Sequence, residues 1–155
     1  MKWKIPPENK IYEALGTIAD GRIEMSGNTA RVFSSSRNKF YTIIYDPTKN
    51  AIMSNDNSSF WQGYLGYPAI AFLFKIGVLE YKEEYGEGLK NIHWKDINTK
   101  FKNDFDKTDA YCDQLLEKEG IDIKIFHNYV RSTIDKIAGL NLILLGKKVK
   151  PPVGY

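Results

Sequence analysis

The sequence predicts an α+β fold, and three observations support this prediction. Apolar residues recur at helical spacing near the N-terminus, in alternating runs between residues 22 and 54, and again at helical spacing in the second half. The 155 residues are 43% hydrophobic and 14% aromatic, which is enough to form the core of one domain. We expect an N-terminal helix, a three- to four-stranded antiparallel meander, an apolar helix and two long C-terminal helices.

The first predicted elements are the N-terminal helix and the meander. The helix is predicted over residues 8–19, where four apolar residues share one face, and it ends at residues 20–21, Asp-Gly. The alternating runs that follow are separated by short sequences rich in Gly, Asn, Asp, Pro and Ser. These runs predict antiparallel strands joined by tight turns, and the last strand covers residues 51–54.

Two helical segments are predicted after the sheet. Ser59 and Gln62 have the spacing of a capping box, which predicts a short helical turn over residues 60–65. Pro68 is a favourable first residue of a helix because its missing N–H would have no partner there. It therefore predicts the start of the apolar helix that covers residues 69–75.

The second half of the chain is predicted to be helical. Residues 81–90, which contain two glycines, are predicted to be a connector. One long helix is predicted from Trp94, with an apolar face that runs to Leu115, and it is closed by Glu119-Gly120. Another begins after Asp122 and ends before Gly139.

The predicted organisation is a single α+β domain with a short tail. The domain covers residues 1–146 and includes a helical portion at residues 91–139. Residues 147–155 form a basic tail that contains prolines. The net charge of +3 is spread evenly, so neither half of the chain is strongly basic.

The composition favours a cytoplasmic protein. The single cysteine, Cys112, excludes an intramolecular disulfide framework and a zinc site built from cysteines, which fits a reducing compartment. The N-terminal residues lack the apolar segment of a signal peptide. The longest apolar run, at residues 67–74, is shorter than the roughly 20 residues of a spanning helix, so we expect no membrane association.

Residues 30–74 resemble the SWIM-type zinc finger in the order of their elements. A strand ending in Tyr-Thr-Ile-Ile-Tyr-Asp-Pro is followed by a turn, a short strand, a polar loop and a helix that opens with Tyr-Pro-Ala-Ile-Ala at residues 67–71. The family pattern is Cys-x-Cys, a spacer, and Cys-x-His at the start of a helix rich in Ala and Leu. The resemblance implies a ββα module that binds DNA or proteins and does not catalyse a reaction.

The zinc ligands of that family are absent from this sequence. The second ligand pair falls on Tyr67 and Ala69, and the first falls near residues 54–56, Ser-Asn-Asp. Zinc is bound by thiolates, imidazoles and carboxylates, and only Asp56 among the aligned residues is well suited. We predict no metal and no other cofactor, and we expect packing to replace the zinc.

The polar loop and the aromatic residues after it form the first candidate binding site. Polar groups beside exposed aromatic rings are typical of recognition surfaces, and here they are supplied by Asn55, Asp56, Asn57, Trp61 and Tyr64. An alternative interpretation is that Asn and Asp bond to the backbone of their own turn while the rings fill the core. The primary prediction is a recognition module that binds a protein partner or associates with itself.

Two other functions are considered. The first is nucleic-acid binding by basic residues of the meander and tail, namely Arg31, Arg37, Lys39, Lys147, Lys148 and Lys150. The second is a small hydrolase in which Cys112 is paired with a histidine, of which the chain has two, His93 and His127. Enzyme activity is the less expected outcome, because an activated cysteine needs an electropositive and partly exposed setting.

Overall fold

The computed structural model describes residues 1–153, and it confirms the α+β prediction. The described residues contain six α-helices and a five-stranded mixed sheet. A π-helical turn, Ser58–Gln62, precedes the second helix. The helices are α1 (Asn9–Ala19), α2 (Tyr67–Lys75), α3 (Glu83–Gly88), α4 (Trp94–Lys100), α5 (Phe105–Lys118) and α6 (Ile123–Leu140). The strands are β1 (Ile23–Ser26), β2 (Thr29–Phe33), β3 (Phe40–Asp46), β4 (Ala51–Ser54) and β5 (Ile143–Leu144).

The sheet has the order β1-β2-β3-β4-β5, and its first four strands form the predicted antiparallel meander. The strand β5 adds to β4 in parallel, so the C-terminal end of the chain returns to the sheet. The side chains of Val32, Ile43 and Ile52 are fully buried on the face that packs against the helices. This alternation explains why a period of two is visible in the sequence.

The helix α2 lies at the centre of the core. All of its residues from Pro68 to Phe74 are buried, and it packs on both α1 and the sheet. A helix that is apolar all round is expected to be covered on every side. The structure confirms the apolar helix and its start at Tyr67, with Pro68 in the first turn.

The predicted long helix over residues 94–115 is divided into α4 and α5. Lys102 and Asn103 adopt positive φ angles of 53° and 60°, which a continuous helix cannot contain. Asp104 then caps α5, because its Oδ1 accepts a hydrogen bond from the Lys107 N–H. The prediction of a single helix was therefore wrong at residues 101–104.

The predicted connector at residues 81–90 contains the short helix α3. Tyr85 and Leu89 are buried, and they anchor this helix to the core. The carbonyl oxygen of Leu89 would lie 2.8 Å from a Cβ atom at Gly16, so α1 needs glycine at the point of closest approach.

The N-terminal residues pack against the C-terminal end of the sheet. The Trp3 indole N–H donates to the Ile52 carbonyl over 3.0 Å, and the Trp3 backbone N–H donates to the Leu142 carbonyl over 3.0 Å. The Leu144 N–H donates to the Met1 carbonyl over 2.8 Å. Both ends of the described chain thus meet at one edge of the sheet.

The tail predicted at residues 147–155 is described as far as Val153, and its last two residues lie outside the described part. Lys148 is tied to the body of the protein, because its Nζ donates to the Phe60 carbonyl over 3.1 Å. No helix within residues 1–153 is long and apolar enough to cross a membrane.

Candidate functional site

The Asp56 side chain is a structural centre and does not lie on the surface. It is 4% exposed, and its Oδ1 accepts hydrogen bonds from the hydroxyl groups of Ser54 and Ser59, each over 2.6 Å. The Ser59 N–H also donates to its Oδ2. A side chain at Gly66 would overlap this carboxylate, so Gly66 allows the start of α2 to approach it. The network joins β4, the π-helical turn and α2.

The neighbouring asparagines have different roles. Asn55 is half-buried, and its Oδ1 accepts a hydrogen bond from the Thr42 N–H over 2.7 Å, which links β4 to β3. Asn57 is exposed and lies on the wall of a cavity. The alternative interpretation, a bond to the backbone of the same turn, therefore describes Asp56, which accepts from the Ser59 N–H. Asn55 instead bonds to the neighbouring strand, and Asn57 remains available for binding.

Trp61 is the most exposed aromatic residue near this loop. Its side chain is 66% exposed, and its ring stacks edge-on against Phe60 with 4.7 Å between the centroids. Tyr64 is half-buried and forms a β-bridge with Lys4 of the N-terminal segment. The Lys4 N–H donates to the Gly63 carbonyl, so the N-terminal segment lies directly beside the turn that carries Trp61.

We define the Trp61 surface as the residues of the three adjoining segments 1–5, 60–64 and 142–153. These segments contain five lysines and no aspartate or glutamate. Within the described residues none of the five lysines forms an ion pair with a carboxylate. The surface also exposes aliphatic side chains, namely Met1, Ile5, Ile143, Val149 and Val153. It is therefore basic and apolar at the same time.

The basic residues of the meander lie elsewhere. Arg31 is paired with Glu24 over 2.8 Å, Arg37 donates to the Asp20 carbonyl, and Lys39 lies over the Tyr41 ring. The strand β2 is separated from β5 by two strands, a distance of about 14 Å. The structure thus does not bring these residues together with the tail lysines into one basic face.

A cavity of about 300 Å³ lies between the loop of residues 34–39, α1 and the start of α4. The predicted residues Lys39 and Asn57 lie on its wall. The rest of the wall is formed by Glu13, Ser34, Ser35, Ser36, Asn38, Tyr41, Tyr67, Trp94, Lys95 and Asn98. We call this site the Glu13 cavity.

Glu13 could not be recognised from the sequence, because its burial depends on neighbours that are distant along the chain. It lies in α1, whose residues from Asn9 to Thr17 are all buried by packing against other helices. In the sequence it looks like an ordinary charged residue on an amphipathic helix. The one available signal is that Glu13 is the only charged residue between Ile11 and Ile18, the first and last apolar residues of the predicted helix face.

The residues of the suggested hydrolase are arranged differently from the prediction. Cys112 is fully buried, and this burial raises the pKa of its thiol, so the thiol stays protonated near neutral pH. His127 Nε2 lies 2.8 Å from Asp113 Oδ2, and the Tyr12 hydroxyl donates to Asp113 Oδ1 over 2.8 Å. The imidazole is thus held by a carboxylate on α5, while His93 is exposed just before α4.

The positions aligned with zinc ligands are occupied by other interactions. Ser54 and Asp56 belong to the hydrogen-bonded network, and Ala69 is fully buried in α2. The Tyr67 ring contacts the Tyr41 ring edge-on at 6.3 Å between centroids. Among residues 1–153 no three His, Cys, Asp or Glu side chains are grouped so that they could hold a metal ion.

Comparison with known proteins gives one match. A family model described as Uncharacterised conserved protein UCP014422 matches residues 3–143, which is most of the chain. Searches of curated proteins and of solved structures found no match. The matched range includes the Glu13 cavity and the π-helical turn. Four of the five lysines of the Trp61 surface lie outside it.

Proposed function

We propose a recognition function for this chain, which belongs to the family described as Uncharacterised conserved protein UCP014422. The chain binds an acidic protein partner through the Trp61 surface and performs no catalysis there. The observation that supports this proposal is an exposed tryptophan on a turn that Lys4 and Lys148 contact, in three segments that hold five lysines and no carboxylate. Large apolar patches that are exposed on a folded domain often mark binding sites.

The chemistry of the surface indicates what its partner presents. Tryptophan is enriched among the residues that dominate binding energies, because it buries a large area and can donate one hydrogen bond. The surrounding lysines attract acidic groups and would speed the encounter with an acidic partner. The exposed aliphatic side chains of the same segments favour a protein partner, which supplies matching apolar groups.

Self-association through this surface is the less favoured form of recognition. In a symmetric dimer the same patch would face itself, so five lysines would meet five lysines. Like charges brought together across an interface lower the affinity. A partner of opposite charge removes this repulsion, and we therefore favour an acidic protein over self-association.

Nucleic-acid binding is the second candidate, and one observation favours it. Lysines without carboxylates next to an exposed aromatic ring are also the features with which proteins hold single strands, by contacting phosphates and stacking bases. The surface proposed for nucleic-acid binding includes Lys2, Lys4 and the tail lysines. It does not include Arg31 and Arg37. The SWIM resemblance supports either candidate, since that family binds DNA or proteins.

The test is site-specific photo-crosslinking in cells with a matched control. Gln62 and Gln114 are both exposed, and each is replaced in turn by p-benzoylphenylalanine. Gln62 lies beside the intact Trp61, whereas Gln114 lies on α5, away from the three segments. We expect position 62 to capture an acidic protein that position 114 does not capture.

The captured protein is then purified and its binding to wild-type chain and to Trp61→Ala is measured by calorimetry. We expect the substitution to weaken binding about tenfold or more, because alanine removes the central aromatic contact. Equal affinity for both proteins would show the proposal to be wrong. If nuclease treatment removes the product captured at position 62, the second candidate replaces the first.

A further inference from the structure

The Glu13 cavity contains a buried carboxylate that lacks hydrogen bonds. The Glu13 side chain is 4% exposed, and its Oε1 has no hydrogen-bond partner within the described residues. Within the described residues its one ion-pair partner is the ammonium group of Lys10, whose Nζ lies 3.6 Å away. That distance is longer than a charge-assisted hydrogen bond, which is about 2.7–2.9 Å.

A carboxylate in this position is costly unless something completes its bonding. An ionised carboxylate has about four acceptor positions, and each one left empty in a buried site destabilises the protein. The chain keeps the group at the wall of a cavity that a small molecule could enter. A ligand that donates N–H bonds to Glu13 would remove this cost.

The other walls of the cavity suit a cation with a polar extension. Tyr41, Tyr67 and Trp94 contribute aromatic rings, and cations bind favourably to such rings. Burial raises the pKa of Tyr41 to about 12, so its hydroxyl stays neutral at physiological pH. The hydroxyl groups of Ser34 and Ser36, whose Oγ atoms lie 3.3 Å apart, offer further donors and acceptors.

The charges around the cavity exclude two simple kinds of ligand. A ligand with only negative charge would be repelled by Glu13, and a ligand with only positive charge would be repelled by Lys39 and Lys95. A molecule that carries both charges, separated by a short chain, would be attracted at both ends.

We propose that the Glu13 cavity binds a small zwitterionic molecule, with its ammonium group at Glu13 and its carboxylate towards Lys39 and Lys95. This site is separate from the Trp61 surface, and the proposal does not depend on the recognition function. A cavity of about 300 Å³ has the size of the smaller ligand pockets, which suits a molecule of amino-acid size.

The test uses ω-amino acids from glycine to 6-aminohexanoate, which differ only in the separation of their two charges. Pentylamine and pentanoate serve as controls that carry one charge each. Binding is measured by ¹⁵N–¹H NMR titration at millimolar concentrations, where weak complexes are detectable. We expect one member of the series to shift the signals of the cavity residues and to bind about tenfold more tightly than either control.

Variants of the protein test the two ends of the ligand separately. Glu13→Gln removes the negative charge at nearly constant volume, and Glu84→Gln makes the same change at an exposed position on α3. We expect the first variant to lose about tenfold in affinity and the second to be unchanged. Lys95→Met removes the charge of an exposed lysine, and we expect it to weaken zwitterion binding but to leave pentylamine binding equal or stronger.

Several results would overturn the proposal. These are the absence of binding throughout the series, equal binding of a singly charged control, or unchanged affinity in Glu13→Gln. If Glu13→Gln does not fold, as judged by circular dichroism, the Lys95→Met variant decides. Unchanged zwitterion affinity in that variant would also exclude the proposed orientation.

Discussion

The Trp61 surface and the Glu13 cavity differ in where their charge lies. The surface carries uncompensated lysines around an exposed ring, and water screens these charges. The cavity carries a carboxylate that is almost removed from water, so its charge acts strongly on whatever enters. The difference indicates that the surface selects a large partner by the contact area it buries and by electrostatic attraction. The cavity selects a small molecule by a few directed contacts.

The largest expected effect is a difference in stability between alanine substitutions of the two tryptophans of these regions. Trp94 is 4% exposed on the cavity wall, and Trp94→Ala should lower the free energy of unfolding by about 3–5 kcal/mol. Trp61 is 66% exposed, and Trp61→Ala should change it by less than about 0.5 kcal/mol. Urea unfolding measures both values, and comparable losses for the two variants would contradict this comparison.

A second substitution should damage both regions together. The Asp56 network lies between Asn57, on the cavity wall, and the turn that carries Trp61. In Gly66→Ala the new methyl group displaces the Asp56 carboxylate, and we expect a loss of about 2–4 kcal/mol in the free energy of unfolding. Thermal unfolding followed by circular dichroism measures this loss.

The matched control for that variant is Gly139→Ala in the last turn of α6. Nothing lies within 4 Å of a Cβ atom at Gly139, so alanine fits there without displacement. Because alanine favours helix more than glycine does, we expect a gain of up to about 1 kcal/mol. If the changes in the free energy of unfolding have opposite signs in the two variants, the Asp56 contact, and not the loss of glycine itself, causes the destabilisation.

A third prediction concerns Asp109, a second carboxyl whose Oδ1 is buried without a partner. Burial raises the pKa of Asp109 to about 7, with contributions from the nearby carboxylates of Asp113, Glu8, Asp106 and Glu13. The folded state therefore favours the protonated form. This contribution to stability is fully present below the unfolded pKa near 3.8 and is lost as the pH rises through about 7.

Asp109→Asn should remove this dependence on pH. Between about pH 5 and pH 8 we expect the free energy of unfolding of the wild type to fall by about 1–2 kcal/mol more than that of the variant. This is less than the full pKa shift implies, because the carboxyl is only partly shielded from water. Urea unfolding at the two pH values measures the difference. Asp135→Asn, at an exposed position on α6, should retain the wild-type dependence. Identical slopes for wild type and Asp109→Asn would exclude Asp109 as the cause.

The smallest expected effect tests whether the meander belongs to the binding surface. The ion pair between Arg31 and Glu24 is exposed on both sides, and such pairs contribute about 0–1 kcal/mol. Arg31→Ala should therefore leave stability nearly unchanged.

Arg31→Ala should also leave partner binding through the Trp61 surface unchanged, whereas the joint replacement of Lys147, Lys148 and Lys150 by serine should weaken that binding. Calorimetry with the captured partner measures both results, and a marked loss in Arg31→Ala would extend the surface to the meander.

The sequence predicted the elements whose signals are local. The helices α1 and α2 and the meander follow from hydrophobic period, turn-forming residues and Pro68, all of which act over a few positions. The break between α4 and α5 was missed because apolar residues keep helical spacing across residues 101–104, while Lys102 is not a residue type that signals a left-handed conformation. The strand β5 was missed because two residues carry no measurable period.

The sites show the same division between features with a local sequence signal and features that depend on tertiary contacts. Trp61 is exposed, and its role in binding stays a prediction, whereas Asp56 in the same loop is buried. Glu13 was not selected, because its environment is made by the loop of residues 34–39 and by the start of α4, which are far from it in sequence. A buried charge is visible only when the tertiary contacts around it are known.

The pairing of Met1 with Leu144 has a consequence for synthesis on the ribosome. Residues 1–5 are translated long before residues 142–144, so their contacts with Leu142 and Leu144 can form only after nearly all the described chain has been translated. At about 5–20 residues per second this takes roughly ten seconds or more. During that time the segment that flanks Trp61 can contact Ile52 and Gly63 but lacks its contacts with Leu142 and Leu144. A partner that recognises the completed surface would therefore bind only after residues 142–153 have been translated.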